Sequence, residues 1–447
     1  MKDLSVLLYP LPEDVQQARI FGDYPRALRL IERRLNMLET PACMKQRLEL
    51  EKQILQRLPA YYPYTEEEAY ALVKMEIPDF TMEELREWED SRKADWIYVN
   101  GQVHLQDRFF DSVKKVYADI AARAHADADD RSHLDENVRM MKENGEAMWH
   151  VHMRTSVKIA DDAFHPGHAR VWLPVPIAAQ NMKNIRILKA EPAFLQESSA
   201  ECGSHTVYFE EDLQENRWFS VEYEYDSYVR YTSIDPAAVT SACSETPQMK
   251  LPQITATPYL LALCDELKKD ETNPAVIARR IYDFCTKNVT YAFMREYMTL
   301  GQIPEYCAAG LKGDCGVQAL LFITLCCLAG IPAKWQSGLY VTPDDAGNHD
   351  WAMFYLEPYG WLFADPSFGG SAYRSGNMER HDYYFGNLDP FRMAANRDVQ
   401  CEFEPAEGGL RYDPYDSQSG EIELDGEMLG RGRKERRYEV LEMKKVL

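Results

Sequence analysis

The stretch Gly313-Asp314-Cys315-Gly316 constrains this chain most. It runs without a charged residue through Val317 to Leu328 and stops at Gly330-Ile331-Pro332. Asp314 is a good N-cap, and Gly330 with Pro332 is a clear stop. The spacing therefore predicts a helix of roughly four turns with Cys315 on its first turn. That helix is apolar almost all round, so it belongs inside a domain core. A cysteine at such an N-terminus meets the positive end of the helix macrodipole, which favours thiolate over thiol and suits a nucleophile.

A base is found further along. Asn348-His349-Asp350-Trp351 opens the apolar run Ala352-Met353-Phe354-Tyr355-Leu356, Pro358-Tyr359-Gly360 turns the chain, and Trp361-Leu362-Phe363-Ala364-Asp365-Pro366 follows. Two short apolar runs joined by a Pro/Gly turn predict an antiparallel hairpin, with His349 and Asp365 at the same end. In chain order this gives Cys315, His349 and Asp365 as nucleophile, general base and the carboxylate that orients the imidazole. Neighbours on a strand face opposite sides, so Asp350 is expected to point away from the thiol that His349 serves.

Gly-Asp-Cys opening a buried helix, Gly-Ile-Pro-Ala behind it, His-x-Trp opening a strand and Trp-x-x-x-Asp-Pro closing the hairpin resemble the transglutaminase-like cysteine enzyme superfamily. The resemblance is closest to its bacterial members described as cysteine proteases, and the motifs lie within about residues 255–370. It implies a papain-like α+β core, no cofactor, no metal, and Cys315, His349 and Asp365 as the catalytic triad. Asp314, Gly316 and Trp351 are the adjoining candidates for substrate binding. The family often has Ala or Cys before the Trp; here Asp350 stands there, a carboxylate expected to raise the pKa of the neighbouring histidine.

The implied activity is acyl transfer on peptide or glutamine amide bonds through a Cys315 thioester, ending in hydrolysis. Transfer to an amine acceptor and an inert peptide- or protein-binding module are the alternatives. Hydrolysis is favoured because a cross-linker at large in a cytoplasm would threaten its own proteome. The Cys315 backbone N–H is the expected oxyanion donor, and no second donor is identified from sequence.

At 447 residues the chain exceeds one ordinary core. Its net charge of −22 argues against nucleic acid and anionic membrane surfaces as partners and leaves a peptide or protein substrate. The apolar run Leu4 to Leu11 is short and broken by Pro10, so neither a signal peptide nor a membrane span is expected. Ten cysteines without metal-type spacing then predict reduced thiols in a cytoplasm.

The expected organisation is a mostly helical region (1–148), a β-sandwich-like domain (149–240), the catalytic core (241–393) and a short β extension (394–447). In the first region Ala27, Leu28, Ile31 and Leu35, then Leu48, Leu50, Ile54, Leu55 and Leu58, recur at helical spacing. Thr65-Glu66-Glu67-Glu68 and Thr81-Met82-Glu83-Glu84 are capping boxes, and Asn100-Gly101 turns a hairpin. Helices beside a hairpin invite comparison with a winged helix. The acidic surroundings speak against DNA, so this region is read as a protein-docking scaffold. Residues 125–146 are polar and are read as the linker.

From Val151 the apolar period becomes two, strictly so at Phe219, Val221, Tyr223 and Tyr225, which predicts the sandwich. His150, His152, His165 and His168 are read as surface histidines. Arg431, Arg433, Lys434, Arg436 and Arg437 form the basic run, expected to pair with the chain's own acidic groups.

Overall fold

The structure, a computed structural model, describes residues 4–126, 131–240 and 243–447. Its centre is the helix Cys315–Leu328, with every residue from Gly316 to Cys327 buried. An α-helix with no polar stripe must be covered on all sides. Helices Pro258–Lys268, Pro274–Asn288, Ile303–Gly310 and Pro366–Arg374 cover part of it, and a five-stranded antiparallel sheet covers the rest.

That sheet runs in the order Phe385–Gly386, Gly360–Ala364, Ala346–Leu356, Ala333–Val341 and Arg392–Asn396. The expected hairpin is present, with Ala352 opposite Ala364 and Leu356 opposite Gly360 at the turn. Phe354 meets Phe322 of the central helix edge to face, with ring centroids 5.6 Å apart. The helix thus lies on the side of the strand that carries Asp350, Ala352 and Phe354, and His349 and Trp351 belong to the other side.

The expected sandwich forms, and it recruits strands from the far end of the chain. One sheet orders Lys434–Lys445, Glu146–Ile159, Phe219–Arg230 and Met182–Glu191; the other includes Glu421–Leu424 beside Gly167–Pro174. The C-terminal segment is thus part of the sandwich and not an extension of its own. Lys434–Lys445 supplies the strand that pairs Glu146–Ile159 along nearly its whole length, a long-range pairing that local period cannot reveal. One continuous hydrophobic core joins sandwich and catalytic core, whereas most of the N-terminal region builds two smaller clusters.

Both capping boxes, at Thr65/Glu68 and Thr81/Glu84, are formed, and Asn100 and Gly101 take the positive φ values that a tight hairpin turn needs. Of the expected linker, residues 127–130 lie outside the described residues, as do Met1, Lys2 and Asp3. Most of the remainder is the helix Ser132–Asn144, buried through Leu134, Val138 and Met141. Its apolar face follows helical spacing under a polar composition, which is why it read as linker. Among the described residues, no helix is long and apolar enough to cross a membrane.

Candidate active site

Cys315 is the first residue of the central helix, and Asp314 caps it by accepting the Val317 N–H at 3.1 Å. The same Asp314 oxygen accepts the Tyr297 hydroxyl at 2.5 Å. Burial pushes the Asp314 carboxyl up to about 6, against the pull of Tyr297 and Val317. Gly316 is there because nothing larger fits. A Cβ on it would lie 2.3 Å from Tyr297 Oη, 2.7 Å from Asp350 Oδ2 and 2.9 Å from Trp335 Cη2.

The thiol itself is half-buried and donates to Asp350 Oδ2 at 3.2 Å. Its pKa is pushed well above the ordinary thiol value, first by burial and then by the charges of Asp350 and Asp314. This corrects the expectation of a thiolate: two carboxylates and desolvation outweigh the helix end, whose effect is on the order of 1 kcal/mol. Asp350 is in turn pushed up to about 7 by burial and by Asp314.

His349 and Asp365 come together as the hairpin predicts. His349 Nε2 and Asp365 Oδ2 are 2.7 Å apart in a buried contact. Asp365 also caps the helix Pro366–Arg374, accepting the Phe368 N–H at 2.9 Å. Arg392 lies 2.9 Å from Asp365 Oδ2 and 2.5 Å from Asp389 Oδ2, wholly enclosed, with its guanidinium carbon 4.4 Å from the centre of the Phe368 ring. Burial would raise the Asp365 carboxyl, but His349 and Arg392 outweigh it and hold it well below the carboxylate range. Burial lowers the His349 pKa, with Asp365 opposing. The expected rise from Asp350 does not occur, since Asp350 is on the opposite side of the strand.

The three candidates therefore fall into two groups. His349 and Asp365 form a pair on one side of the strand Ala346–Leu356, and Cys315 contacts that strand through Asp350 on the other. Among the described residues no hydrogen bond joins Cys315 to His349. His349 and Asp350 do face opposite sides of the strand, but the residue turned to the thiol is Asp350, where His349 was expected. Trp351 is fully buried and donates to Gln336 Oε1 at 2.7 Å; Asp314 and Gly316 serve the helix start.

Arg392, Asp416 and Gln418 were missed from sequence. Arg392 leaves a trace there, as a lone cation in the otherwise uncharged run Phe391 to Asn396. Asp416 and Gln418 leave none, lying in a polar turn about seventy residues from Asp350. Among the described residues no group of three or more His, Cys, Asp or Glu side chains could hold a metal ion. The four sandwich histidines mostly pair with carboxylates, as His150 does with Asp226 and His152 with Glu222, both at 2.8 Å.

A thiol heading a buried helix, set against an antiparallel sheet whose hairpin carries a His–Asp pair, defines a cysteine-centred core of α+β type. Residues 261–366 match the sequence model of the transglutaminase-like superfamily, a span that includes Cys315, His349 and Asp365. The chain thus carries a transglutaminase-like domain.

Among solved structures it is similar to a candidate cysteine protease from Cytophaga hutchinsonii, at 15% identity and TM-score 0.44, over 68% of this chain and 91% of that one. It is also similar to the periplasmic domain of TgpA from Pseudomonas aeruginosa bound to ethylmercury, at 14% identity and TM-score 0.26, over 55% and 96%. A third similarity is to a candidate protease from Parabacteroides distasonis, at 11% identity and TM-score 0.21, over 50% and 60%. No curated protein sequence matches the chain.

Proposed function

We propose that this chain is a cysteine-dependent acyl-transfer enzyme that cleaves peptide or glutamine amide bonds through a thioester on Cys315, with water as acceptor. The observation that carries this reading is the buried His349–Asp365 contact within the transglutaminase-like domain that also holds Cys315. With Nε2 committed to a carboxylate, the imidazole has Nδ1 left to exchange a proton.

In turnover the Cys315 proton passes to His349 Nδ1 and Sγ attacks the carbonyl carbon. The oxyanion is met by the Cys315 backbone N–H at the helix start. The C–N bond then breaks as His349 returns the proton to the leaving amine. Water, deprotonated by His349, cleaves the thioester and restores the thiol. For this cycle the thiol must leave Asp350 for the imidazole, and since the two lie on opposite sides of the strand, the strand start at His349 and Asp350 must turn as well. Catalytic contacts often close only in the substrate complex.

The contact between Cys315 and Asp350 also favours a second reading, a peptide-binding module without turnover. A panel of peptide and glutamine substrates, with and without an amine acceptor, separates the readings. Hydrolysis lost in Cys315→Ser supports the proposal, and amine incorporation would make the chain a cross-linker. Binding without product in either condition establishes the module. A peptide or protein is the proposed partner, and a cytoplasmic location is proposed from the ten free cysteines.

A further inference from the structure

One set of contacts around the thiol has no part in that cycle. Asp350 accepts the Cys315 thiol on Oδ2 and the Gln418 side-chain amide on Oδ1. The same Gln418 amide donates to the His349 main-chain oxygen at 3.0 Å. The Asp416 carboxyl faces Asp350 as well, and burial with the nearby charges of Asp413 and Asp350 pushes it well above the usual carboxylate range. Two buried carboxyl groups facing each other disfavour a second negative charge, so the pair tends to share one.

Asp416 and Gln418 arrive on the stretch 411–420, which crosses the strand at His349 and Asp350 and is itself pinned. Asn396 Nδ2 donates to the Ser417 oxygen at 3.0 Å, the Tyr438 hydroxyl donates to the Gln418 oxygen at 3.2 Å, and Arg411 pairs with Glu421 at 2.8 Å. The outer side of this stretch borders a cavity of about 320 Å³, which Asp413, Asp416 and Gln418 line together with Asn348, Lys434 and Arg436.

We propose that Asp350 is a positioning residue for Cys315: clamped by Gln418 and Asp416, it holds the sulfur as a neutral hydrogen-bond donor, and acyl transfer begins only when this contact is exchanged for His349. The inference rests on Cys315 being the nucleophile. A thiol that donates to a carboxylate keeps its proton, and nearby negative charge disfavours losing it. The titratable groups facing this pair are Asp314 and Tyr297 at the helix start, Tyr291 beside it, and Asp413 and Asp416 on the crossing stretch. All of these are acids, and their charge opposes the thiolate; the Asp350 main-chain N–H pulls the other way and is outweighed.

The test is alkylation of the full chain by iodoacetamide across pH, reading the Cys315 peptide by mass spectrometry, with exposed Cys43 and Cys243 as references. In the unmodified protein the apparent pKa of Cys315 is expected above the ordinary value of about 8.5. Asp350→Asn moves the shared charge out to Asp416 and should lower that pKa by about one unit or more. Each unit raises the thiolate fraction at pH 7 about tenfold, and weaker nucleophilicity trims the gain in rate to about threefold. An unmodified pKa at or below about 8.5, or an Asp350→Asn value unchanged or raised, overturns the proposal; if the variant does not fold, the unmodified value decides. No substrate enters this measurement, so its failure is distinct from an absence of hydrolysis.

Discussion

Asp365 is the residue on which most depends, because three roles converge on one buried carboxylate. It orients His349, neutralises Arg392 and caps a helix. Asp365→Asn keeps the shape and removes the charge, leaving Arg392 with Asp389 alone. Breaking a buried pair in this way costs about 3–5 kcal/mol. Turnover is expected to fall on the order of 10–10³-fold, less than in a serine enzyme, because a thiol needs less help from the third residue.

The pH dependence follows from the sign of the shift. The folded carboxyl titrates below its unfolded value of about 3.9, so its contribution is complete above that pH. It is lost as pH falls through the folded value. Urea unfolding should show a constant gap between the native chain and Asp365→Asn from pH 7 to about pH 5, narrowing below about pH 4. A gap that persists unchanged in acid would mean that the carboxylate charge is not what stabilises. That Cys315 heads a helix and that His349 meets Asp365 was legible in the sequence, because each sits at a signalled boundary: a cap, a strand start, a Pro-terminated strand end. Which of His349 and Asp350 turns to the thiol was not legible, since alternation sets opposite sides without saying which side the helix takes.

At the scale of the element, the central helix tests whether packing or propensity decides its first turn. Alanine at an exposed helical position is better than glycine by about 1 kcal/mol. At Gly316 the added methyl would fall against Tyr297, Asp350 and Trp335, each held by a hydrogen bond or by burial. Overpacking of this kind costs about 1–3 kcal/mol, so Gly316→Ala is expected to destabilise despite its propensity gain. Chemical denaturation reads the sign directly, and a variant of equal or greater stability would show that the site is looser than its geometry. Helix, hairpin and capping boxes were readable because their signals are local. Ser132–Asn144 is a helix where the polar composition predicts a linker, because charge masks a sparse apolar face of Leu134, Val138 and Met141.

At the scale of the whole molecule, the C-terminus is both structure and neighbour to the site. Lys434–Lys445 edges one sheet of the sandwich, and the stretch before it clamps Asp350. Pairings that join residues some three hundred positions apart leave no trace in local period, which is why this segment read as an extension. Part of the basic run is internally satisfied, as expected: Arg433 pairs with Glu427 at 2.5 Å and Arg431 with Asp107.

The central claim is that acyl groups pass through Cys315, and trapping the intermediate tests it most directly. The full chain is mixed with an activated peptide ester, quenched in acid, and its mass and modified peptide are determined. The account predicts a single acyl group on Cys315, absent in Cys315→Ala and reduced on the order of 10–10³-fold in His349→Ala. Acylation confined to the exposed Cys43 and Cys243 with Cys315 unmodified, or ester hydrolysis undiminished in Cys315→Ala, would contradict it.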